Sequence, residues 1–264
     1  MTNRLSRFVI AAMTLGFVFL YAPIASVVIY SFNASRLVAV WAGFSLQWYG
    51  ALFENEAIGR AGLISFEVAL TAATGALILG TLVAYALARY RRFMGRTLFA
   101  AMATAPLVMP EIITGLSLLL LFVALEQATG WPQGRGMLTI AIAHITLGIA
   151  FVAVIVEARL SAFDRSLEEA ALDLGARPIR VFFVITLPLI APALAAGWLL
   201  AFTLSFDDLV IASFTAGPAS TTLPMVIFSS VRLGVSPQIN ALATLFLVAV
   251  TAIVLAANRL LRVR

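Results

Sequence analysis

Long apolar runs separated by short polar connections dominate the chain, and six of them are long enough to cross a bilayer. They cover about 8–30, 63–88, 98–125, 138–156, 189–214 and 239–260. A helical span needs roughly 20 predominantly apolar residues for a hydrocarbon layer about 30 Å thick, and tilt or a break absorbs the excess of the longer runs. The pattern predicts an all-α membrane protein of six spans, with no soluble domain beside them. The third run also admits division into two shorter pieces, because Pro106 and Pro110 each remove an amide donor within it. In lipid such a break is tolerated only where protein or a water-lined cavity satisfies the freed backbone.

Composition points the same way. Hydrophobic residues make up 62% of the 264 positions and charged residues 11%, against roughly 45–50% and about 25% in soluble domains. All 17 basic residues are arginine. Arg4 and Arg7 precede the first run, Arg89, Arg91, Arg92 and Arg96 fill the second connection, Arg159, Arg165, Arg177 and Arg180 the fourth, and Arg259, Arg262 and Arg264 the C-terminal end. Only Arg36, Arg60, Arg135 and Arg232 lie in the other connections. The positive-inside rule then predicts cytoplasmic termini and an even number of crossings. Arginines that flank a membrane explain the formal charge of +5 without nucleic acid, since no aromatic-interleaved basic patch is present. There is no cysteine, hence no disulfide or thiol chemistry. The N-terminal apolar run is long for a cleaved signal and reads as a retained anchor.

The first connection, 31–62, carries Trp41, Trp48, Tyr49 and Phe53. These suit an interfacial helix near the headgroups, compatible with contact to an external partner. The third, 126–137, has Gly130, Pro132, Gly134 and Gly136 and reads as a loop. The fourth, 157–188, is long for a link. Ser166 can cap a short helix there with Glu169 as its reciprocal partner, and Ala170, Ala171 and Leu172 favour helix. Leu167, Ala170, Ala171 and Leu174 share one face. Gly175 can end the helix and Pro178 begin another. A helix, a turn and a second helix would thus present an apolar ridge rimmed by charge, suited to docking a partner or to resting on the membrane. Pro188 and Pro192 return the chain to lipid.

Glu169-Ala170-Ala171, three residues, Gly175, nine residues, then Ile185-Thr186-Leu187-Pro188 resemble the EAA loop of bacterial ABC importer permeases, and the resemblance extends over nearly the whole chain. Supporting segments are Tyr30-Ser31-Phe32-Asn33, Pro110 to Gly115, Leu204 to Asp208, and Gly217-Pro218 through Thr222-Leu223-Pro224. They look most like the spermidine/putrescine group, although permeases for iron, thiamine or phosphonate share part of the outline. The resemblance implies a type I, MetI-like six-helix permease of the cell inner membrane, with cytoplasmic coupling helices near 166–180. It further implies a homologous second permease, two copies of an ATPase that uses ATP and Mg, a periplasmic substrate-binding protein, and alternating access. Glu169 would touch the ATPase, Ala170 and Ala171 would keep the helix slim, and Gly175 would shape the turn. No Walker motif occurs here, so ATP belongs to another polypeptide and this chain binds no cofactor.

Four acids fall within the apolar runs: Glu67, Glu111, Asp207 and Asp208. An unpaired charge in hydrocarbon costs several kcal/mol, so each needs a partner, water or a proton. One reading is a negatively charged path or gate for an organic cation such as a polyamine, with Glu111, Asp207 and Asp208 as candidates. The other is structural pairing or capping. Adjacent Asp207 and Asp208 cannot point the same way on a helix. Glu67 stands near a span end and can reach water. Trp198, Phe202 and Phe206 recur every fourth residue, either as faces for ammonium groups or as helix packing. His144, the sole histidine, can hydrogen-bond across helices, and no other metal-ligand residues lie near it in sequence. No nucleophile arrangement or hydrolytic carboxylate pair is visible, so the chain reads as a non-enzymatic subunit. A gradient-driven transporter and a membrane scaffold are the rival classes.

Overall fold

The computed structural model describes residues 7–37, 40–90, 92–234 and 236–262. Arg4, Arg91 and Arg264, which enter the charge pattern, lie outside the described residues. In chain order the helices are α1 (Arg7–Tyr30), α2 (Gln47–Phe53), α3 (Glu56–Arg89), α4 (Arg96–Thr104), α5 (Glu111–Thr129) and α6 (Met137–Ala162). They continue with α7 (Ser166–Asp173), α8 (Pro178–Val181), α9 (Leu187–Phe206), α10 (Val210–Thr215), α11 (Leu223–Leu233) and α12 (Pro237–Arg262). Among the described residues, five stretches are long and apolar enough to cross a membrane: Phe8–Tyr30, Glu56–Arg89, Glu111–Thr129, Met137–Ala162 and Pro178–Phe206. α12 has 26 residues, and its described apolar part covers Pro237–Ala252.

Two of the expected runs are interrupted, each for a local reason. The third divides: α4 ends at Thr104, a 3₁₀ turn takes Ala105–Leu107, and α5 starts at Glu111 with Pro110 as its N-cap. The prolines remove two amides where a continuous helix would need them. The fifth stops at Phe206, short of position 214, and resumes as α10 after Asp207, Asp208 and Leu209. There the Asp208 carboxylate takes over the backbone amides of Ile211 and Ala212, which favours a fresh helix start.

The chain forms two compact units, one of Met1–Gly59 with Ile227–Arg264 and the other of Arg60–Val226. In the first, α1 packs on α12, and α12 on α2. Almost the whole outer surface of α1 is exposed apolar side chain, including Phe8, Phe17, Phe19 and Tyr21, as a lipid-facing helix requires. After α1 the connection folds around Asn33, which is fully buried. The Asn33 amide nitrogen donates to the Val40 carbonyl at 2.8 Å and its side-chain oxygen accepts the Ala42 amide at 3.0 Å. The Trp48 indole donates to the Asn33 carbonyl at 2.6 Å, so the expected interfacial helix, α2, is pinned to that turn.

The second unit is built on α3, α6 and α9. Ala73, Ala76, Ala84, Val152, Val156, Leu160, Ile190 and Ala201 form its buried cluster. Small residues allow close backbone approach, the usual device where lipid offers no hydrophobic drive between helices. A Cβ added at Gly80 would lie 2.8 Å from the Val152 side chain and 3.1 Å from the Ile149 carbonyl, and one at Gly148 would lie 2.7 Å from the Ala76 Cβ. Beyond these, α10 packs on both α5 and α6, with Gly115 against Phe214.

Candidate functional site

Two clusters within the second unit bear on function. The first surrounds α7. Its start differs from expectation: Ser166 is the first helical residue, the N-cap is Arg165, and no side chain caps it. The Ser166–Glu169 capping box is therefore corrected. Asp164 Oδ1 accepts the Ser166 amide at 3.0 Å in place of the Glu169 carboxylate, and the Glu169 amide goes to the Arg165 carbonyl rather than to the Ser166 hydroxyl. That amide, with the Ser166 hydroxyl second, holds the Asp164 carboxyl below the usual carboxylate range. The end of α7 matches expectation. Gly175 adopts φ +83°, Leu174 N–H reaches the Ala170 carbonyl, and Ala176 N–H reaches that of Ala171 at 3.0 Å. This is the glycine-dependent left-handed stop of a helix. Pro178 then opens α8, and a π turn, Phe182–Thr186, leads into α9.

On this scaffold Glu169, Ala170 and Gly175 are exposed and Ala171 is half-buried. Leu167 and Leu174 project outward, Leu174 at 90% exposure, and Ile179 of α8 is exposed beside them in sequence. The exposed surface of α7 and its turn thus combines these apolar side chains with the carboxylates of Glu169 and Asp173. Its inward counterpart is Glu168. Arg89, the last residue of α3, donates through Nη2 to Glu168 Oε1 at 2.7 Å, with both side chains largely buried. Thr186 donates to the same oxygen at 2.5 Å, and Arg89 Nη1 donates to the Leu160 carbonyl at 3.2 Å. The guanidinium also lies 5.9 Å from the Phe163 ring centroid. Sequence reasoning passed over Glu168 because adjacent glutamates look alike. Glu168 sits about 100° around the helix from both Leu167 and Glu169, and it is the buried residue of α7.

The second cluster lies at the break between α9 and α10. His144 of α6 is buried. Its Nδ1 is 2.6 Å from Ser205 Oγ and its Nε2 is 3.1 Å from Asp208 Oδ2. Asp208 Oδ2 also accepts the Ala212 amide at 2.7 Å. The Asp208 carboxylate is thereby committed to its own backbone and to a neighbouring helix. Asp207, the C-cap of α9, is exposed. The two acids separate as the steric argument required, at a helix break rather than along a continuous helix. Glu111 is exposed at the first position of α5, where a carboxylate suits the helix dipole. Glu67 is exposed on α3.

An aromatic ladder climbs α9 to this break. Trp198 and Phe202 stack at 5.3 Å between centroids, and Phe202 and Phe206 at 5.8 Å. Phe66 of α3 meets Phe202 edge-on at 5.8 Å, and the Trp198 indole donates to Thr74 Oγ1 at 3.3 Å. All three rungs are half-buried. Among the described residues no group of histidine, cysteine and carboxylate side chains is arranged to hold a metal.

With both clusters in place, comparison with known proteins assigns the class. Residues 76–263 match the family described as the binding-protein-dependent transport system inner membrane component, and the chain belongs to that family. It is a multi-pass inner-membrane permease subunit of an ABC importer, a non-catalytic part of an assembly with a permease pair, an ATPase and a periplasmic binding protein. Among individual relatives, it is 63% identical over 241 residues to the putrescine transport system permease protein PotI of Escherichia coli K12, covering 91% of this chain and 86% of that one. It is 41% identical to the spermidine/putrescine transport system permease protein PotC of the same organism, over 95% of this chain and 92% of that one. A crystal structure of a bacterial ABC transporter that imports alginate shares the fold at a TM-score of 0.73 and 18% identity, covering 98% of this chain and 99% of that one. An inward-facing MetNI methionine transporter shares it at 0.58 and 16% identity, over 83% and 98%.

Proposed function

We propose that this chain is the polyamine-conducting permease of an ATP-driven importer and that putrescine or spermidine is its cargo. The observation that carries the cargo assignment is the 63% identity, over nine-tenths of the chain, to a permease named for putrescine transport. A polyamine is flexible, polycationic and apolar between its amines, so a path for it needs carboxylates and aromatic faces. Asp207 at the end of the ladder Trp198, Phe202 and Phe206 meets that need. Glu111 is a second candidate on the path, and Asp208 acts beside it by holding the break.

The chain crosses the membrane six times with both termini cytoplasmic, as its arginine distribution favours. It pairs with a homologous second permease. α7 and α8 are the coupling helices: their exposed apolar face and the Glu169 carboxylate enter a cleft of the ATPase, and two ATPase copies drive outward and inward access in alternation. The periplasmic binding protein docks on external connections, the 215–238 segment among them. Mg and ATP stay on the ATPase.

The test is reconstitution of the complex in proteoliposomes with ATP inside and loaded binding protein outside. Uptake of labelled putrescine or spermidine is the expected result. Uptake of thiamine, iron or phosphonate instead would overturn the cargo, and uptake that follows an ion gradient without ATP would overturn the mechanism.

A further inference from the structure

The geometry points to the buried trio Arg89, Glu168 and Thr186 as the joint through which movement of α7 reaches the membrane helices. This rests on the reading of α7 as the ATPase-docking helix and names residues that reading does not use. α7 is an eight-residue helix whose outward face is free. A docking helix that short transmits displacement only if its inner face is fixed to something that must move with it.

Three attachments converge on one carboxylate oxygen and one guanidinium. Glu168 Oε1 receives both the Arg89 guanidinium and the Thr186 hydroxyl. Arg89 ends α3, and Thr186 ends the π turn that runs into α9. The second arm of Arg89 holds the Leu160 carbonyl in the last turns of α6. α7 is therefore tied by charge-assisted hydrogen bonds to the end of α3 and to the π turn that enters α9, and through Arg89 to the end of α6; α3, α6 and α9 are the helices whose buried cluster organises the unit. Low exposure makes the connection stiff, since removing one partner would strand a buried charge. Glu168 and Glu169 thus divide the work: Glu169 faces the partner outside, and Glu168 hands its motion inward. Arg89, Glu168 and Thr186 are positioning residues that touch neither cargo nor nucleotide.

If this joint carries the load, it also lets the membrane helices restrain the ATPase at rest. Loosening it should release that restraint, a readout that needs no cargo. The experiment uses the full complex in proteoliposomes with Glu168→Gln, Thr186→Val and Glu169→Gln. For Glu168→Gln, basal ATP hydrolysis should rise about fivefold, stimulation by putrescine-loaded binding protein should fall to near one, and uptake should drop about tenfold or more, the scale of a typical coupling energy. Thr186→Val, which keeps the ion pair, should shift all three in the same direction by a smaller factor. Glu168→Asp should restore part of the coupling.

Basal hydrolysis unchanged or lowered in assembled Glu168→Gln and Thr186→Val complexes would overturn the proposal. If Glu168→Gln does not assemble, Thr186→Val alone decides by the same criterion. Glu169→Gln separates the two readings: copurification of the ATPase and normal coupling in that variant would sink the docking assignment of α7, whereas its failure beside a silent Thr186→Val would sink only the joint.

Discussion

His144 Nε2 and Asp208 Oδ2 meet at 3.1 Å inside the second unit, one residue from the exposed Asp207. Neighbouring carboxylates in one chain segment therefore face different tasks, and their substitutions should leave different traces. Asp208→Ala strands the imidazole and two α10 amides, a loss of about 1–3 kcal/mol, visible as a lower melting temperature and yield of purified complex. Asp207→Asn should keep both and lower putrescine uptake about tenfold, the effect of one lost charge contact of about 1.4 kcal/mol. Normal transport by Asp207→Asn would remove that acid from the path.

At the outward face of α7, charge reversal is the direct probe. Glu169→Lys should abolish copurification of the ATPase or cut stimulated hydrolysis about tenfold, while the permease itself remains as stable as before because the side chain is exposed. Pull-down of the ATPase from detergent-solubilised membranes reads this out. A parallel loss of permease stability would mean that Glu169 is structural.

Gly175 offers a purely conformational prediction. Nothing lies within 4 Å of an added Cβ there, yet φ is +83°. Gly175→Ala should therefore cost about 1 kcal/mol through backbone strain alone, loosening the turn between α7 and α8. Faster amide exchange at Leu174 and Ala176 would report it, with the core of α6 unaffected.

Close helix approach makes the opposite case at Gly80. Gly80→Val places new carbons inside contact distance of Val152 and the Ile149 carbonyl, and overpacking of this kind costs about 1–3 kcal/mol. Purified complex should melt lower and aggregate sooner. Gly59→Val, where an added Cβ meets nothing within 4 Å, serves as the control and should behave as wild type.

The aromatic ladder can be dissected by chemistry. Trp198→Phe keeps the stack and loses only the 3.3 Å bond to Thr74, so transport should change less than about threefold. Trp198→Ala removes a rung packed against the buried cluster. If the faces guide ammonium groups, it should raise the half-saturating putrescine concentration before it affects melting, since a cation–π contact is worth about 0.5–2 kcal/mol. A melting change alone would assign the ladder to packing.

Much of this molecule was legible in the residues because lipid is a strict solvent. Apolar runs declare themselves by length, and the Gly175 stop and the Pro178 start follow from backbone rules that hold in any context. What escaped was settled by single side chains acting at a distance in sequence. The end of the fifth run at Phe206 depends on Asp208 capturing amides three and four residues ahead and on His144, which lies 64 residues away. An acid in an apolar run signals an unmet need without saying what meets it. The capping expectation at Ser166 failed for a similar reason, since Asp164, two residues upstream, takes the Ser166 amide that Glu169 was expected to accept.

Because Glu168 faces inward and Glu169 outward, α7 tolerates only one rotational phase. A helix turns about 100° per residue, so one residue deleted between Phe163 and Glu168 would turn the anchoring acid outward and bury Glu169 in its place, and one residue inserted would turn it outward and bury Leu167. Substitutions across this segment can be absorbed one at a time. Changes of length cannot, and the spacing from the end of α6 to the two glutamates is therefore a ruler set by the buried contacts of Glu168 with Arg89 and Thr186.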